Sequence, residues 1–151
     1  MSVGIGYDSH RFEAGRELIL AGVRIEHEYG LAGHSDADVA THAVIDALLG
    51  ASAGGDLGEV FPDTDEAWAG ADSLEMLRVV VGQVRGEIEN IDLTVVGEQP
   101  RLAPYKAQMA GNLAEITSAR VNVKATTNEG MGWIGRGEGL ACIAVAQITD
   151  P

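Results

Sequence analysis

The sequence has 151 residues, 46% of them hydrophobic, which is enough for one domain with a substantial core. With 23 acidic and 10 basic residues, its formal net charge of −13 argues against the backbone of a nucleic acid as a partner. No apolar run is long enough to cross a bilayer, and the single Cys142 excludes an internal disulfide. We therefore expect one domain over residues 1–151, a cytoplasmic location, and neither a nucleic acid nor a membrane as partner.

The first predicted element is a strand from Ser2 to His10, which ends in Asp8-Ser9-His10. Residues i and i+2 of a strand point the same way, so Asp8 and His10 project together from one face. A carboxylate and an imidazole at that spacing form half of a metal site. The alternative is a capped turn with a salt-bridged histidine.

A short hairpin is predicted next, pairing Leu18–Leu20 with Val23–Ile25 around Ala21-Gly22. A glycine-flanked loop, 30–33, then leads to His34. A histidine in this position suits donation to a phosphate or to a developing negative charge, and equally suits capping of the turn.

The next element is an amphipathic helix, with Ser35 as the expected N-cap and Asp36 and Asp38 in its first turn. Asp38, His42 and Asp46 recur every four residues and so share one helical face. His42 would complete a three-ligand site with Asp8 and His10 and leave a position open, an arrangement that suits a catalytic zinc ion. Asp46 is a candidate partner for the His42 imidazole. The competing interpretation is a solvated helix face without a special role.

The remaining elements follow from turns and periodicity. A close turn at 54–58 and a rigid polar loop at 61–65 precede a helix that starts at the capping box 72–75 and ends near Gly86. A strand over 91–96, a third helix with Pro104 in its first turn, and strands over 121–125 and 140–148 complete the chain. Cys142 lies in the last, most apolar strand and is predicted to be a core residue.

A glycine-rich loop, 125–139, separates the last two strands. Its hydroxyls and glycine amides, at a strand end, are suited to phosphate oxygens, and Glu129 is suited to a second divalent cation. It is not a P-loop, since it lacks the G-x-x-x-x-G-K-[ST] pattern. A flexible hairpin rich in glycine is the alternative.

Four motifs together closely resemble the 2-C-methyl-D-erythritol 2,4-cyclodiphosphate synthase family of the non-mevalonate isoprenoid pathway. They are GYDSHRF (6–12), GLAGHSDADVATHAVIDALLGA (30–51), GDLGEVFPDTD (55–65) and ATTNEGMGWIGRGEG (125–139), and the resemblance covers essentially the whole chain. It implies an α+β fold: a mixed four-stranded sheet with helices on one face. It also implies a homotrimer with the sheets packed around the threefold axis and active sites between adjacent subunits.

The resemblance further implies a lyase that closes a cyclic diphosphate and expels CMP from a cytidine-diphosphate derivative of methylerythritol 2-phosphate. Zinc, or another divalent metal, is then held by Asp8, His10 and His42, while Glu129 and the substrate diphosphate hold magnesium or manganese. By the same resemblance His34 and Thr127 stabilise the transition state. The other substrate contacts it implies are Asp8, His10, Ser35, Asp56, Gly58, Phe61, Asp63, Asp65, Thr126, Glu129, Trp133 and Arg136, with the region 99–105 receiving the cytidine.

The resemblance also implies that Arg136 and Glu138 lie at an axial cavity of the trimer, where an isoprenoid diphosphate would bind. The sequence departs from the family pattern in three places: Asn128 and Trp133 replace the usual Thr and Phe, and Gly130-Met131 replaces Lys-Leu. Two other functions compete with the cyclising lyase. One is a phosphohydrolase that uses a zinc-bound hydroxide, and the other is a non-catalytic trimer that binds isoprenoid phosphates.

Overall fold

The computed structural model describes all residues from Met1 to Pro151. The strands are β1 (Ser2–Ala14), β2 (Leu18–Leu20), β3 (Val23–Ile25), β4 (Tyr29–Leu31), β5 (Ile88–Val96), β6 (Arg120–Thr126) and β7 (Gly139–Ile148). The helices are α1 (Val39–Ser52), α2 (Leu57–Val60), α3 (Ser73–Gln83), α4 (Lys106–Thr117) and α5 (Gly132–Gly135), with a 3₁₀ turn at Glu66–Trp68. No helix has the length and apolarity needed to span a bilayer.

The main sheet has five strands in the order β4-β1-β7-β5-β6, so the predicted count of four is wrong. The additional strand, β4, pairs Tyr29–Leu31 with Phe12–Ala14 in a segment predicted to be a loop. Three residues are too few for an alternating pattern, which is why periodicity did not reveal it. The sheet is mixed as predicted, because β5 and β6 run parallel and the other neighbours antiparallel. The predicted hairpin is confirmed as the separate β2-β3 pair.

Helix α1 lies directly on strands β1 and β7. Gly4 and Gly6 allow this close approach, since a Cβ at either position would overlap the backbone carbonyls of Ala47 and Ala43. The helix is buried on nearly every side rather than amphipathic; its partly or fully exposed residues are Asp46, Gly50 and Ser52. The close packing brings His42 of α1 against the β1 residues Asp8 and His10.

The N-cap of α1 is Asp38, not Ser35 as predicted, so the helix starts three residues later. Asp38 is fully buried, and four donors converge on its carboxylate: the backbone N–H groups of Ala21, Gly22 and Thr41, and the Thr41 hydroxyl. Burial raises the pKa of Asp38, while these hydrogen bonds oppose that effect. Asp38 therefore ties the β2-β3 hairpin to α1 and does not belong to the face that carries His42.

Helices α3 and α4 form where the sequence predicts helices, with shifted ends. Helix α3 begins at Ser73, capped by Asp72, and ends at Gln83 rather than near Gly86. Helix α4 begins at Lys106, so Pro104 precedes its first turn. Strand β7 lies in the middle of the sheet, and Cys142 is fully buried within it, as predicted.

The face of β1 and β7 away from α1 carries large apolar side chains that this chain does not cover. Five residues there are 38 to 69% exposed: Val3, Ile5, Tyr7, Ile143 and Val145. Ile5 lies opposite Val145 and Tyr7 opposite Ile143, so the side chains form one continuous patch. We call these five residues the apolar sheet face.

Candidate metal centre and substrate pocket

Asp8, His10 and His42 form one cluster, as the spacing on strand and helix predicts. Asp8 Oδ2 lies 2.8 Å from His10 Nε2 and 3.1 Å from His42 Nδ1, and the two ring nitrogens are 3.4 Å apart. Four ligands at about 2.0–2.1 Å around a tetrahedral zinc ion are separated by about 3.3 Å. The three atoms therefore fit one face of such a coordination tetrahedron, and the fourth corner is left to water or substrate.

Each histidine of the cluster uses its other ring nitrogen to contact the protein. His10 Nδ1 lies 2.7 Å from the carbonyl oxygen of Ala32, and His42 Nε2 lies 2.8 Å from Ser73 Oγ and 3.2 Å from Ser35 Oγ. A ring N–H that donates to such an oxygen leaves the opposite nitrogen unprotonated for a metal. The capping box marked Ser73 as the start of a helix, but nothing in the sequence connects that hydroxyl with His42.

The cluster also favours an ionised Asp8. Burial alone would raise the pKa of Asp8, but the neighbouring imidazoles of His10 and His42 lower it to about 2. Burial alone would lower the pKa of His10, but the Asp8 carboxylate raises it. At neutral pH Asp8 is therefore an anionic ligand suited to a divalent cation.

No hydrogen bond joins Asp46 to the His42 imidazole, so its predicted role as the partner of that ring is wrong. Its Oδ1 accepts a hydrogen bond of 2.7 Å from the backbone N–H of Leu57. Asp46 thus anchors the first residue of α2, next to Gly58. The four-residue spacing predicted that the side chains of His42 and Asp46 share one face of α1. The hydrogen-bond partner of Asp46 depends instead on the position of the neighbouring helix α2.

A pocket of about 350 Å³ opens beside the cluster and gathers many of the predicted substrate contacts. Its predicted residues are Asp8, His10, His34, Ser35, His42, Gly58, Phe61 and Asp63. Leu57, Pro62, Trp68 and Met76 complete the wall. The pocket therefore combines candidate metal ligands, a further histidine and polar groups with apolar surface, as ligand sites typically do.

The loop around 56–68 supports this wall. Asp56 caps α2 by accepting a hydrogen bond of 2.9 Å from Glu59 N. Phe61 is almost completely buried, and its ring meets Trp68 edge-on with centroids 4.6 Å apart. His34 Nε2 lies 3.4 Å from the carbonyl oxygen of Asp65. Phe61 thus lines the pocket, whereas Asp65 lies outside its wall and contacts His34 through its backbone.

A second pocket, of about 190 Å³, lies at the ends of β5 and β6 and has no residue in common with the first. It contains Thr126 and Thr127 and much of the region predicted to receive cytidine, from Pro100 to Ala103. Arg101 and Lys106 add two cations to its wall. No sequence pattern pointed to Lys106, because only the fold brings the start of α4 beside residues 126–127 at the end of β6.

Glu98 holds the glycine-rich loop in place. Its carboxylate accepts hydrogen bonds from Asn128 N (3.3 Å) and Gly130 N (2.5 Å). The side chain of Asn128 donates to the carbonyl oxygen of Met131 at 2.9 Å. This residue, which departs from the family pattern, therefore stabilises the conformation of the glycine-rich loop. Glu129 is exposed, has a positive φ of 52° and lies outside the Asp8 cluster.

Trp133 lies in a third pocket, of about 240 Å³, together with Ser9, His10, Arg11 and Glu138. Arg136 is two-thirds exposed and pairs with Glu138, its Nε and Nη2 both 2.8 Å from Glu138 Oε2. An exposed pair of this kind contributes little to stability within one chain.

The comparisons with known proteins agree with this architecture. The profile of the YgbB family matches residues 1–149. A protein of Syntrophus aciditrophicus (strain SB) called 2-C-methyl-D-erythritol 2,4-cyclodiphosphate synthase is 52% identical over 157 residues, covering 99% of this chain and 98% of the relative. The bifunctional IspDF from Campylobacter jejuni has a similar structure, with a TM-score of 0.92 and 41% identity over 99% of this chain and 42% of that one. A 2C-methyl-D-erythritol-2,4-cyclodiphosphate synthase in a CDP-bound form has a TM-score of 0.89 and 33% identity over 97% of this chain and 99% of that one.

Proposed function

The chain belongs to the YgbB family, and we propose how its site performs the reaction for which its relatives are named. The protein is a lyase of isoprenoid biosynthesis, as its many relatives at about 50% identity called 2-C-methyl-D-erythritol 2,4-cyclodiphosphate synthase indicate. Its substrate is the 2-phosphate of 4-diphosphocytidyl-2-C-methyl-D-erythritol. An oxygen of the 2-phosphate forms a bond to the β-phosphorus while the bond from that phosphorus to the oxygen of the α-phosphate breaks, and CMP leaves with that oxygen.

The observation that carries this proposal is the convergence of Asp8, His10 and His42 with His34 and Ser35 in one pocket. Because the nucleophile belongs to the substrate, the protein needs no nucleophile of its own. It has to hold both phosphates together and to neutralise the charge that develops at phosphorus. His34 and Thr127 stabilise that charge in this proposal.

We assign the methylerythritol phosphate to the pocket beside the cluster and the cytidine to the pocket at the ends of β5 and β6. Asp56, Gly58, Phe61, Asp63 and Asp65 belong to or support the sugar end. At the nucleotide end, Thr126 and Thr127 receive phosphate oxygens, and Arg101 and Lys106 offset their charge. The CDP-bound form of a similar protein agrees with a nucleotide pocket.

Divalent cations then offset the repulsion between an anionic substrate and a protein of net charge −13. Asp8, His10 and His42 would hold zinc, and Glu129 would hold magnesium or manganese together with the substrate diphosphate. A bound cation supplies positive charge at the phosphate oxygens. The donor set of one carboxylate and two imidazoles supports zinc at the first site.

Two observations support a homotrimer with active sites between subunits. The apolar sheet face is continuous and exposed in one chain, a pattern that marks an association surface. The two pockets share no residue, so a neighbouring subunit would bring the nucleotide pocket of one chain to the metal cluster of the next. Around such an axis three copies of Arg136 would converge and could bind an isoprenoid diphosphate.

The test is an assay of the purified protein with its diphosphocytidyl substrate and magnesium, before and after removal of zinc by a chelator. We expect CMP release, and phosphorus NMR of the products should show a cyclic diphosphate. Activity should disappear with the chelator and return with zinc. Inorganic phosphate in place of the cyclic product would instead identify a phosphohydrolase, and the absence of any turnover would favour a binding protein.

A further inference from the structure

The buried hydroxyl of Ser73 links the candidate metal centre to the start of α3. Ser73 is fully buried, and its Oγ lies 2.8 Å from His42 Nε2. The same hydroxyl donates to Asp36 Oδ1, and the Ser73 backbone N–H donates to Asp36 Oδ2 at 2.9 Å. Asp36 Oδ1 also accepts the backbone N–H of Asp38 at 3.1 Å, which fixes the carboxylate in the turn before α1.

These contacts determine where the protons lie. A carboxylate accepts hydrogen bonds only, so the single proton of the Ser73 hydroxyl points to Asp36. The lone pairs of Ser73 Oγ then face His42 Nε2, which has to be the donor. His42 is thereby held as the Nε2–H tautomer, and Nδ1, the nitrogen 3.1 Å from Asp8 Oδ2, keeps a free lone pair.

We propose that Ser73 and Asp36 are positioning residues that act through His42: they fix its tautomer and ring orientation so that Nδ1 is a preformed metal ligand. This inference rests on the proposed metal at Asp8, His10 and His42. Ser35 Oγ lies 3.2 Å from His42 Nε2 and is a weaker acceptor for that N–H than Ser73 Oγ, because it is more distant and also accepts the N–H of Ala37. Partners of this kind behind a ligating histidine typically contribute about 10- to 100-fold in metal affinity.

The experiment titrates the metal-free protein with zinc in competition with a chromogenic chelator. We expect Ser73→Ala to lower zinc affinity about 10- to 100-fold. Asp36→Asn should also lower the zinc affinity. The Asn side-chain amide can donate a hydrogen bond to Ser73 Oγ, so that the Ser73 hydroxyl donates to His42 Nε2 instead of accepting from it. Ser52→Ala is the matched control, since Ser52 Oγ donates to the carbonyl of Leu48 at the far end of α1, and it should bind zinc like wild type.

Cobalt substitution distinguishes positioning from a merely structural role. If Ser73 only stabilises the start of α3, Ser73→Ala will unfold more easily but keep the wild-type zinc affinity and ligand-field spectrum, which would overturn the inference. If the variant does not fold, long-range ¹H–¹⁵N NMR of the metal-free wild type still decides the question: His42 must carry its proton on Nε2 before any metal binds, and a proton on Nδ1 would overturn the inference. A wild type that binds no zinc would refute the proposed metal site as well, whereas normal wild-type binding with an unaffected Ser73→Ala would refute this inference alone.

Discussion

At the scale of single residues, the candidate metal centre depends on which ring nitrogen of each histidine is free. His10 directs Nε2 and His42 directs Nδ1 to the same point beside Asp8, because their other nitrogens meet the Ala32 carbonyl and the Ser73 hydroxyl. A lysine or an asparagine in place of His10 or His42 could not present a metal-binding nitrogen in the same geometry. The cluster is therefore specific to the ring orientation that its neighbours impose.

The first prediction at this scale concerns His42. His42→Ala removes one of three ligands from the proposed zinc site and should abolish CMP release and zinc retention while the protein remains folded. Metal analysis and turnover measure the effect, and circular dichroism monitors the fold. His27→Ala is a matched control, since His27 packs against Phe12 and Tyr29 away from the cluster. A His42→Ala protein with full zinc content would contradict the assignment.

The second prediction concerns Glu129, an exposed carboxylate on the glycine-rich loop. Glu129→Gln should reduce turnover strongly and raise the magnesium concentration needed for half-maximal activity, because an amide binds a hard cation more weakly. The free energy of unfolding should change little, since the side chain is not packed. Glu115→Gln, at an exposed position of α4, is the control. An unchanged dependence of turnover on magnesium would show that Glu129 does not serve a cation.

At the scale of the elements, two carboxylates of the same helix connect α1 to different neighbours. Asp38 binds the turn of the β2-β3 hairpin, and Asp46 binds the first residue of α2. Between them, His42 lies against β1 because Gly4 and Gly6 let the helix approach closely. The site is thus built on a buried helix whose two polar anchors orient the surrounding loops.

The prediction at this scale concerns the buried carboxylate of Asp38. Asp38→Ala leaves three backbone N–H groups and one hydroxyl without their acceptor, and it should lower the free energy of unfolding by about 3 kcal/mol or more. Urea denaturation at a fixed protein concentration measures this. Asp72→Ala removes a solvent-exposed cap from α3 and should cost only about 1 kcal/mol. An equal loss of unfolding free energy in the two variants would mean that burial of the Asp38 network makes no additional contribution to stability.

At the scale of the whole molecule, two properties of the chain act in opposite directions on self-association. Its net charge of −13 makes copies of the chain repel one another, whereas the exposed apolar sheet face favours their association. The apolar sheet face supplies the attraction in the proposed trimer, and the exposed Arg136–Glu138 pair lies next to β7, which carries Ile143 and Val145. Three arginines that converge on an axis would repel one another unless each keeps its carboxylate partner or an anion lies between them.

The prediction at this scale tests that axis. We expect an isoprenoid diphosphate to raise the thermal stability of the wild-type protein and to have a smaller effect on Arg136→Ala, because in the proposed trimer the guanidinium groups would bind the diphosphate. The measurement is a pair of melting curves for each protein, with and without the ligand, alongside the molar mass by light scattering. Arg85→Ala, which changes an arginine two residues beyond the end of α3, serves as the control. Equal stabilisation of Arg136→Ala and wild type would exclude Arg136 as the anion site.

The sequence by itself determined the features that depend on local periodicity. The i, i+2 spacing placed Asp8 and His10 on one strand face, the apolar run around Cys142 indicated a buried strand, and the motifs indicated the family. The tertiary structure alone decided the partners of the polar groups: Ser73 meets His42 across 31 residues of sequence, and Asp38 meets Ala21 across 17. Such contacts follow from how α1, α3 and the hairpin pack together, and no local pattern encodes that packing. For the same reason a three-residue strand such as β4, held by its neighbour β1, had no signal of its own.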